Sequence, residues 1–142
     1  MLTAHLALTA AALFTGAAFY INVAEQPARL TLDDAALLAE WKPSYARGYV
    51  MQASLAVVGF LLGAATWWTS ENPAWLIGGL VMLANWPFTL LAILPTNNRL
   101  NATPIEAAGP ETRALIQKWG GLHAVRTALG ALATGVFLWA LA

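Results

Sequence analysis

The sequence predicts an all-α fold: a four-helix transmembrane bundle with short amphipathic surface helices in its two long connections, a single domain over residues 1–142. Three observations predict it. Only 10% of the 142 residues are charged and mean hydropathy is +0.62, where a soluble domain carries roughly 25% charge. Four apolar stretches, 3–24, 47–69, 73–94 and 120–141, each reach the roughly 20 residues a helix needs to cross a bilayer. All seven basic residues (Arg29, Lys42, Arg47, Arg99, Arg113, Lys118, Arg126) fall in or beside the connections 25–46 and 95–119.

Taken in order, the first span lacks a basic n-region and stays apolar to about Ala24, so it reads as a retained span and not a cleaved signal peptide. In the first connection Asp33 or Asp34 can cap a helix, Leu37 and Leu38 face inward, and Pro43 ends the run. The second span carries Gly59 and Gly63, a GxxxG pair suited to close helix packing. A tight link, Thr69 to Pro73, leads to the third span, which Pro87 should kink. In the second connection Thr103-Pro104-Ile105-Glu106 has the form of a capping box with Pro at N1. Pro110-Glu111 then starts a further turn leading to Trp119. Two spans separate the connections, so both lie on one side. Their basic residues place that side in the cytoplasm and both termini outside, in a bacterial inner membrane.

A faint internal repeat runs through the chain. Pro27-Ala28-Arg29-Leu30 follows span one, and Pro95 to Arg99-Leu100 follows span three. Trp41-x3-Tyr45-x-Arg47 opens span two, and Trp119-x3-His123-x2-Arg126 opens span four. Two hairpins related by an axis along the membrane normal would produce this order. Tyr45 and His123 would then face each other across a cavity.

Several function classes are excluded. The net charge is zero, which removes the basic footprint of nucleic-acid binding. The absence of Cys removes thiolate catalysis, disulfides and iron–sulfur ligation. No Gly-rich phosphate loop is present. The two histidines lie at opposite membrane levels, roughly 20–25 Å apart in depth at 1.5 Å per residue, too far to share a haem or metal ion. A single-metal site from Glu25, His123 and an Asn has no ligand spacing to support it.

The polar residues are unevenly placed. The half of the bundle next to the connections holds Tyr20, Asn22, Glu25, Tyr45, Arg47, Tyr49, Gln52, Asn85, Asn97, Asn98, His123 and Arg126. The other half has His5, some Thr and Glu71 at the rim. Each polar group in hydrocarbon is costly without a partner, so this clustering predicts a pocket at that end. Trp119, His123 and Arg126 share one helical face at i, i+4 and i+7. An ionisable pair there is a functional-site candidate, although Trp and Arg at a span end also serve as interfacial anchors. The chemistry left to His123 is proton transfer. Arg126, one turn away, would stabilise an anion formed beside it, and Glu25 can pair with either. A base next to a fixed cation is what deprotonation to an enolate or phenolate requires.

Gly16-x3-Tyr20, Glu25-x-Pro27-Ala28-x-Leu30, Trp41-x3-Tyr45-x-Arg47-Gly48, Pro95-Thr96-Asn97-x2-Leu100 and Trp119-x3-His123-x2-Arg126 together resemble the anthrone oxygenase family of small integral membrane proteins. The resemblance covers nearly the whole chain. Pro-Thr-Asn and Trp-x3-His-x2-Arg are its most specific parts. It implies oxidation of polyketide anthrones to anthraquinones by O2, with no cofactor, neither metal nor flavin.

The expected function is therefore a cofactor-independent membrane oxygenase of lipophilic phenolic or anthrone-like aromatics. His123, Arg126, Glu25 and Asn97 form the expected catalytic set. Tyr20, Trp41, Tyr45, Gln52, Asn85 and Trp119 form the expected substrate-binding set. The expected partners are a lipophilic aromatic small molecule and membrane lipids, with no nucleic acid. A homo-oligomer or a larger membrane complex is a further expected partner, and the rival reading is a non-catalytic accessory or lipid-binding subunit of a larger membrane complex. A cavity touching both His123 and Arg126 separates the two. A transporter is disfavoured by the apolar outer half.

Overall fold

The computed structural model describes all residues from Met1 to Ala142; it is 91% helical and contains no strand. Four helices are long and apolar enough to cross a membrane: α1 (Leu2–Arg29), α2 (Asp34–Ser70), α3 (Pro73–Ala102) and α4 (Pro110–Leu141). Helix α1 packs on α2 and α4, and α3 packs on the same two, while the diagonals barely touch. The outer faces present Leu13, Phe19, Val50, Leu61, Leu91, Leu132 and Leu138. Apolar surface on this scale suits a bilayer and not water.

The helical turns expected in the connections are present, but as extensions of the spans and not as separate surface helices. Helix α2 starts at Asp34, capped by Asp33, whose Oδ1 accepts from Ala36 N at 2.9 Å. It then runs through Pro43, which was expected to end it. Pro43 has no N–H to offer the carbonyl of Ala39. Burial of Leu37, Leu38 and Trp41 on the same stretch outweighs that one lost bond. Helix α3 likewise continues through Pro95 to Ala102. The capping box expected at Thr103 does not form. The Thr103 hydroxyl donates back to Arg99 O at 2.8 Å and ends α3, and one 3-10 turn, Ile105–Ala107, follows. The cap of α4 is made by Thr112, whose Oγ1 accepts from Gly109 N at 3.0 Å and donates to Gly109 O at 2.8 Å.

The connections lie together at one end of the bundle. Arg113 donates to Leu30 O at 3.0 Å and pairs with Asp34. Lys42 donates to Thr103 O at 2.6 Å.

Two backbone irregularities repeat. Helix α1 holds a π turn, Ile21–Glu25, and α3 holds another, Thr89–Ile93; each begins six residues before a proline, Pro27 or Pro95. Such wide turns absorb the hydrogen bond that proline cannot make. Helix α3 also breaks at Ala84, three residues before Pro87, the kink that proline predicts. The aromatic pairs repeat as well. Trp41 stacks on Tyr45 at 4.8 Å, Trp119 lies against His123 at 4.9 Å, and the two tryptophans meet edge to face at 5.9 Å. The order read in the sequence thus has a counterpart in the backbone and in side-chain packing.

The core is layered. One apolar cluster includes Ala7, Phe14, Ala18, Ala56, Met82, Ala133 and Phe137. The other, under the connections, includes Leu38, Trp41, Ile93, Leu100, Ile116 and Trp119. On every helix the polar residues fall near or between the two clusters: Asn22 after Ala18, Gln52 before Ala56, Asn85 after Met82, and His123 and Arg126 between Trp119 and Ala133. Small residues let the helices close around this layer. A Cβ added at Gly63 would come within 2.8 Å of the Trp75 carbonyl, so the GxxxG pair packs α2 on α3.

Candidate active site

The site is built on α4. His123 and Arg126 are both buried, one turn apart, and both line a cavity of about 20 Å³ between the two apolar clusters. Tyr45, Gln52, Asn97 and Trp119 line it too. That volume accommodates about one water molecule.

His123 is held by Asn22, which hangs from the π turn of α1. Asn22 Nδ2 donates to Gly120 O at 2.9 Å. This fixes the amide so that Oδ1 faces α4. Oδ1 then accepts from the Thr127 hydroxyl at 2.7 Å and from His123 Nδ1 at 2.8 Å. An amide oxygen only accepts, so Nδ1 carries the proton and Nε2 keeps its lone pair. Nε2 makes no hydrogen bond within the protein.

Arg126 has no partner of its own. Its Nε is buried without an acceptor, no carboxylate pairs with it, and its guanidinium lies 5.6 Å from the centre of the Phe14 ring. Asn97 is 0% exposed with both Oδ1 and Nδ2 unpartnered, and Gln52 Nε2 is also unpartnered. A guanidinium cannot shed its charge under ordinary conditions and normally finds a carboxylate when buried. Here the cation and the amides face an open space. The arrangement is suited to receiving an anion or a carbonyl oxygen.

Glu25 was expected to supply the carboxylate for Arg126, and it does not. It pairs with Arg29 on its own helix and accepts from the Ser44 hydroxyl. Arg29 also meets Glu40 at 3.0 Å and lies 5.6 Å over the Trp119 ring. The π turn explains the exchange. Three residues apart in an α-helix, Asn22 and Glu25 would point about 60° from each other. The extra residue in the turn rotates them apart, sending Asn22 to His123 and Glu25 to Arg29. Asn22 was legible as a polar residue at the connection end of the first span, but only the altered turn reveals which of the two meets His123.

The other expected residues divide four ways. Tyr45, Gln52 and Trp119 line the cavity with His123. Asn85 lines a smaller adjoining space of about 10 Å³ that also touches Arg126. Trp41 is wholly buried behind Tyr45 and Trp119, outside the cavity wall, and belongs to the apolar cluster. Tyr20 is 61% exposed on the outer face of α1; its phenol end favours the membrane interface over the pocket. Tyr49, which lines both spaces, was not singled out as a site residue. Nowhere do three His, Asp or Glu side chains come together as a metal-binding group.

The profile of the family described as Anthrone oxygenase matches residues 41–136, a range that includes Trp41, His123 and Arg126. An anthrone oxygenase of Claviceps purpurea is 31% identical over 137 residues, covering 87% of this chain and 79% of the relative. Anthrone oxygenase tpcL of Aspergillus fumigatus is 34% identical over 99 residues, 64% of this chain and 62% of the relative. Anthrone oxygenase AgnL2 of Paecilomyces divaricatus is 29% identical, covering 85% and 84%. No solved structure matches. These relatives are fungal, so they lend no support to the expectation of a bacterial inner membrane.

Proposed function

The chain belongs to the anthrone oxygenase family, and we propose that it oxidises a lipophilic, hydroxylated anthrone-type aromatic to the quinone with O2, within the membrane and without a cofactor. One observation carries the reading: a histidine with a free lone pair shares a cavity with an unpaired guanidinium and an unpaired amide. An accessory subunit has no need of such a cavity.

The proposed chemistry starts at the methylene carbon between the two aromatic rings of the substrate. His123 Nε2 takes a proton from that carbon, and the C–H electron pair moves to the ring carbonyl oxygen. Arg126 and Asn97 Nδ2 donate to the resulting oxyanion and lower the cost of forming it. The electron-rich anion gives one electron to O2, and the two radicals combine to form a carbon–oxygen bond. The imidazolium protonates the peroxide. The second proton of the same carbon then leaves, the O–O bond breaks, and water departs as the new carbonyl forms. One substrate and one O2 give one quinone and one water. The apolar clusters on either side admit O2 and keep bulk water out. We place the connections on the cytoplasmic side, since the basic residues gather there.

The test is O2 uptake and quinone formation from emodin anthrone by the purified protein. The reading expects His123→Ala to lower kcat by about 10²–10⁴-fold. Wild-type rates no faster than uncatalysed autoxidation would end it.

A further inference from the structure

The His123 cavity holds about one water, not three fused rings. Something must move to admit substrate, and the neighbouring spaces indicate where. The smaller cavity adjoins the first through Tyr49 and Arg126, which are walls of both. Its other walls include Ala53 and Trp86. Those two, with Tyr49, also border an open apolar groove on the outer surface between α2 and α3. Groove, small cavity and His123 cavity therefore lie in series, partitioned by Trp86 and Tyr49.

The small cavity is more than a packing gap. Asn85 is 1% exposed, donates Nδ2 to Met82 O at 3.0 Å, and leaves Oδ1 without a donor. Thr89, 6% exposed, leaves its hydroxyl without a partner, and Arg126 Nε is unpaired on the same wall. Buried acceptors without donors are uncommon and call for an explanation. On walls otherwise made of Ala53, Ala56 and Leu90, they suit a flat ring that carries a hydroxyl group. The backbone here is also the least regular in α3. It breaks at Ala84, carries Pro87, and enters a π turn at Thr89. Trp86 sits within that stretch, held by one surface hydrogen bond from Nε1 to Ala53 O at 3.3 Å.

We infer that the slot between α2 and α3 is the subsite for a hydroxylated ring of the substrate, which enters sideways from the bilayer past Trp86. Asn85 Oδ1 accepts the ring hydroxyl, while the reacting carbon points on toward His123. The inference rests on the oxygenase reading for the identity of the ligand.

The test uses emodin, the quinone, as an equilibrium probe in lipid nanodiscs, so that binding is measured apart from turnover. Ala53→Trp, which fills the slot, is expected to weaken emodin binding at least tenfold. Asn85→Leu is expected to raise KM for emodin anthrone about tenfold while changing KM for unsubstituted anthrone less than twofold. Trp86→Ala, which removes bulk and one surface hydrogen bond and guards against a misfolded Ala53→Trp, is expected to speed emodin association severalfold. Unchanged emodin binding in a folded Ala53→Trp, or equal KM shifts for both anthrones, overturns the subsite. Unchanged association in Trp86→Ala overturns the route. Emodin binding that responds as expected in a protein with no turnover sinks the oxygenase reading and leaves the slot standing.

Discussion

Asn22 Oδ1 lies 2.8 Å from His123 Nδ1, and that contact fixes which imidazole nitrogen can act as a base. Removing the amide frees the ring to adopt the other tautomer or to rotate. Asn22→Ala is expected to lower kcat about tenfold or more, with KM little changed. Asn22→Asp keeps an acceptor for Nδ1–H and should restore much of the loss. The 15N shifts of labelled histidine, in a His5→Gln background, should show the Nδ1–H tautomer in wild type and lose it in Asn22→Ala. An unaltered tautomer in Asn22→Ala contradicts the assignment.

Arg126 and Arg29 should fail in opposite ways. Arg29 is buried between Glu25 and Glu40, so Arg29→Ala leaves two carboxylates without their cation. The expected cost is about 3 kcal/mol, the low end for a broken buried pair, because Glu40 stays partly wet. Arg126 has no such partner, so Arg126→Ala should keep or raise Tm while kcat falls about 10²-fold or more. Thermal melts of the two variants, run beside their activities, decide the matter.

Trp41 and Tyr20 supply the contrast between core and surface. Trp41→Ala should destabilise by about 3–5 kcal/mol, the usual range for emptying a buried aromatic site. Tyr20→Ala, on the outer face, should leave KM and kcat within about twofold of wild type. A KM for Tyr20→Ala raised tenfold would return that phenol to the pocket.

Gly120 ties the His123 helix to its neighbour. A Cβ there would meet Gln26 Nε2 at 2.8 Å, and Gln26 donates to Ile116 O at 2.9 Å. Gly120→Ala should therefore push α1 away from α4, costing about 1–3 kcal/mol, and pull Asn22 off the Gly120 carbonyl. Activity should drop with stability, and Gln26→Ala added to Gly120→Ala should recover part of both.

The orientation of the bundle is open to a direct test, because the chain has no Cys. Glu106→Cys and Glu71→Cys place single thiols at opposite ends, both exposed. An impermeant maleimide added from outside should label Glu71→Cys and not Glu106→Cys. The reverse pattern inverts the topology.

The four spans were legible because long apolar runs and their proline and glycine breaks act locally, one residue at a time. The helical extensions were less so. The inward face of Leu37 and Leu38 was legible, but that their burial with Trp41 carries α2 through Pro43 shows only when α4 and the second connection close over them. In the site, the sequence brought together His123, Arg126, Asn97, Tyr45, Gln52 and Trp119 through helical spacing and a shared membrane level. It misassigned Glu25 because two ordinary expectations failed together. A regular α-helix would have kept Asn22 and Glu25 on one face, and a buried arginine would ordinarily have found a carboxylate.

The solitary state of Arg126 bears on what happens after the reaction. With no carboxylate of its own, the guanidinium would, on the proposed mechanism, be balanced only while an anionic form of the substrate occupies the cavity. In that mechanism oxidation replaces the oxyanion with a neutral carbonyl, so the attraction that gathered the charge would be spent by the chemistry itself. On the same mechanism the product is free to leave past Trp86 once that attraction is gone, and the deprotonated anthrone should be held more tightly than the quinone it becomes. A product-inhibition constant well above the substrate's KM is the kinetic mark of such a self-emptying site.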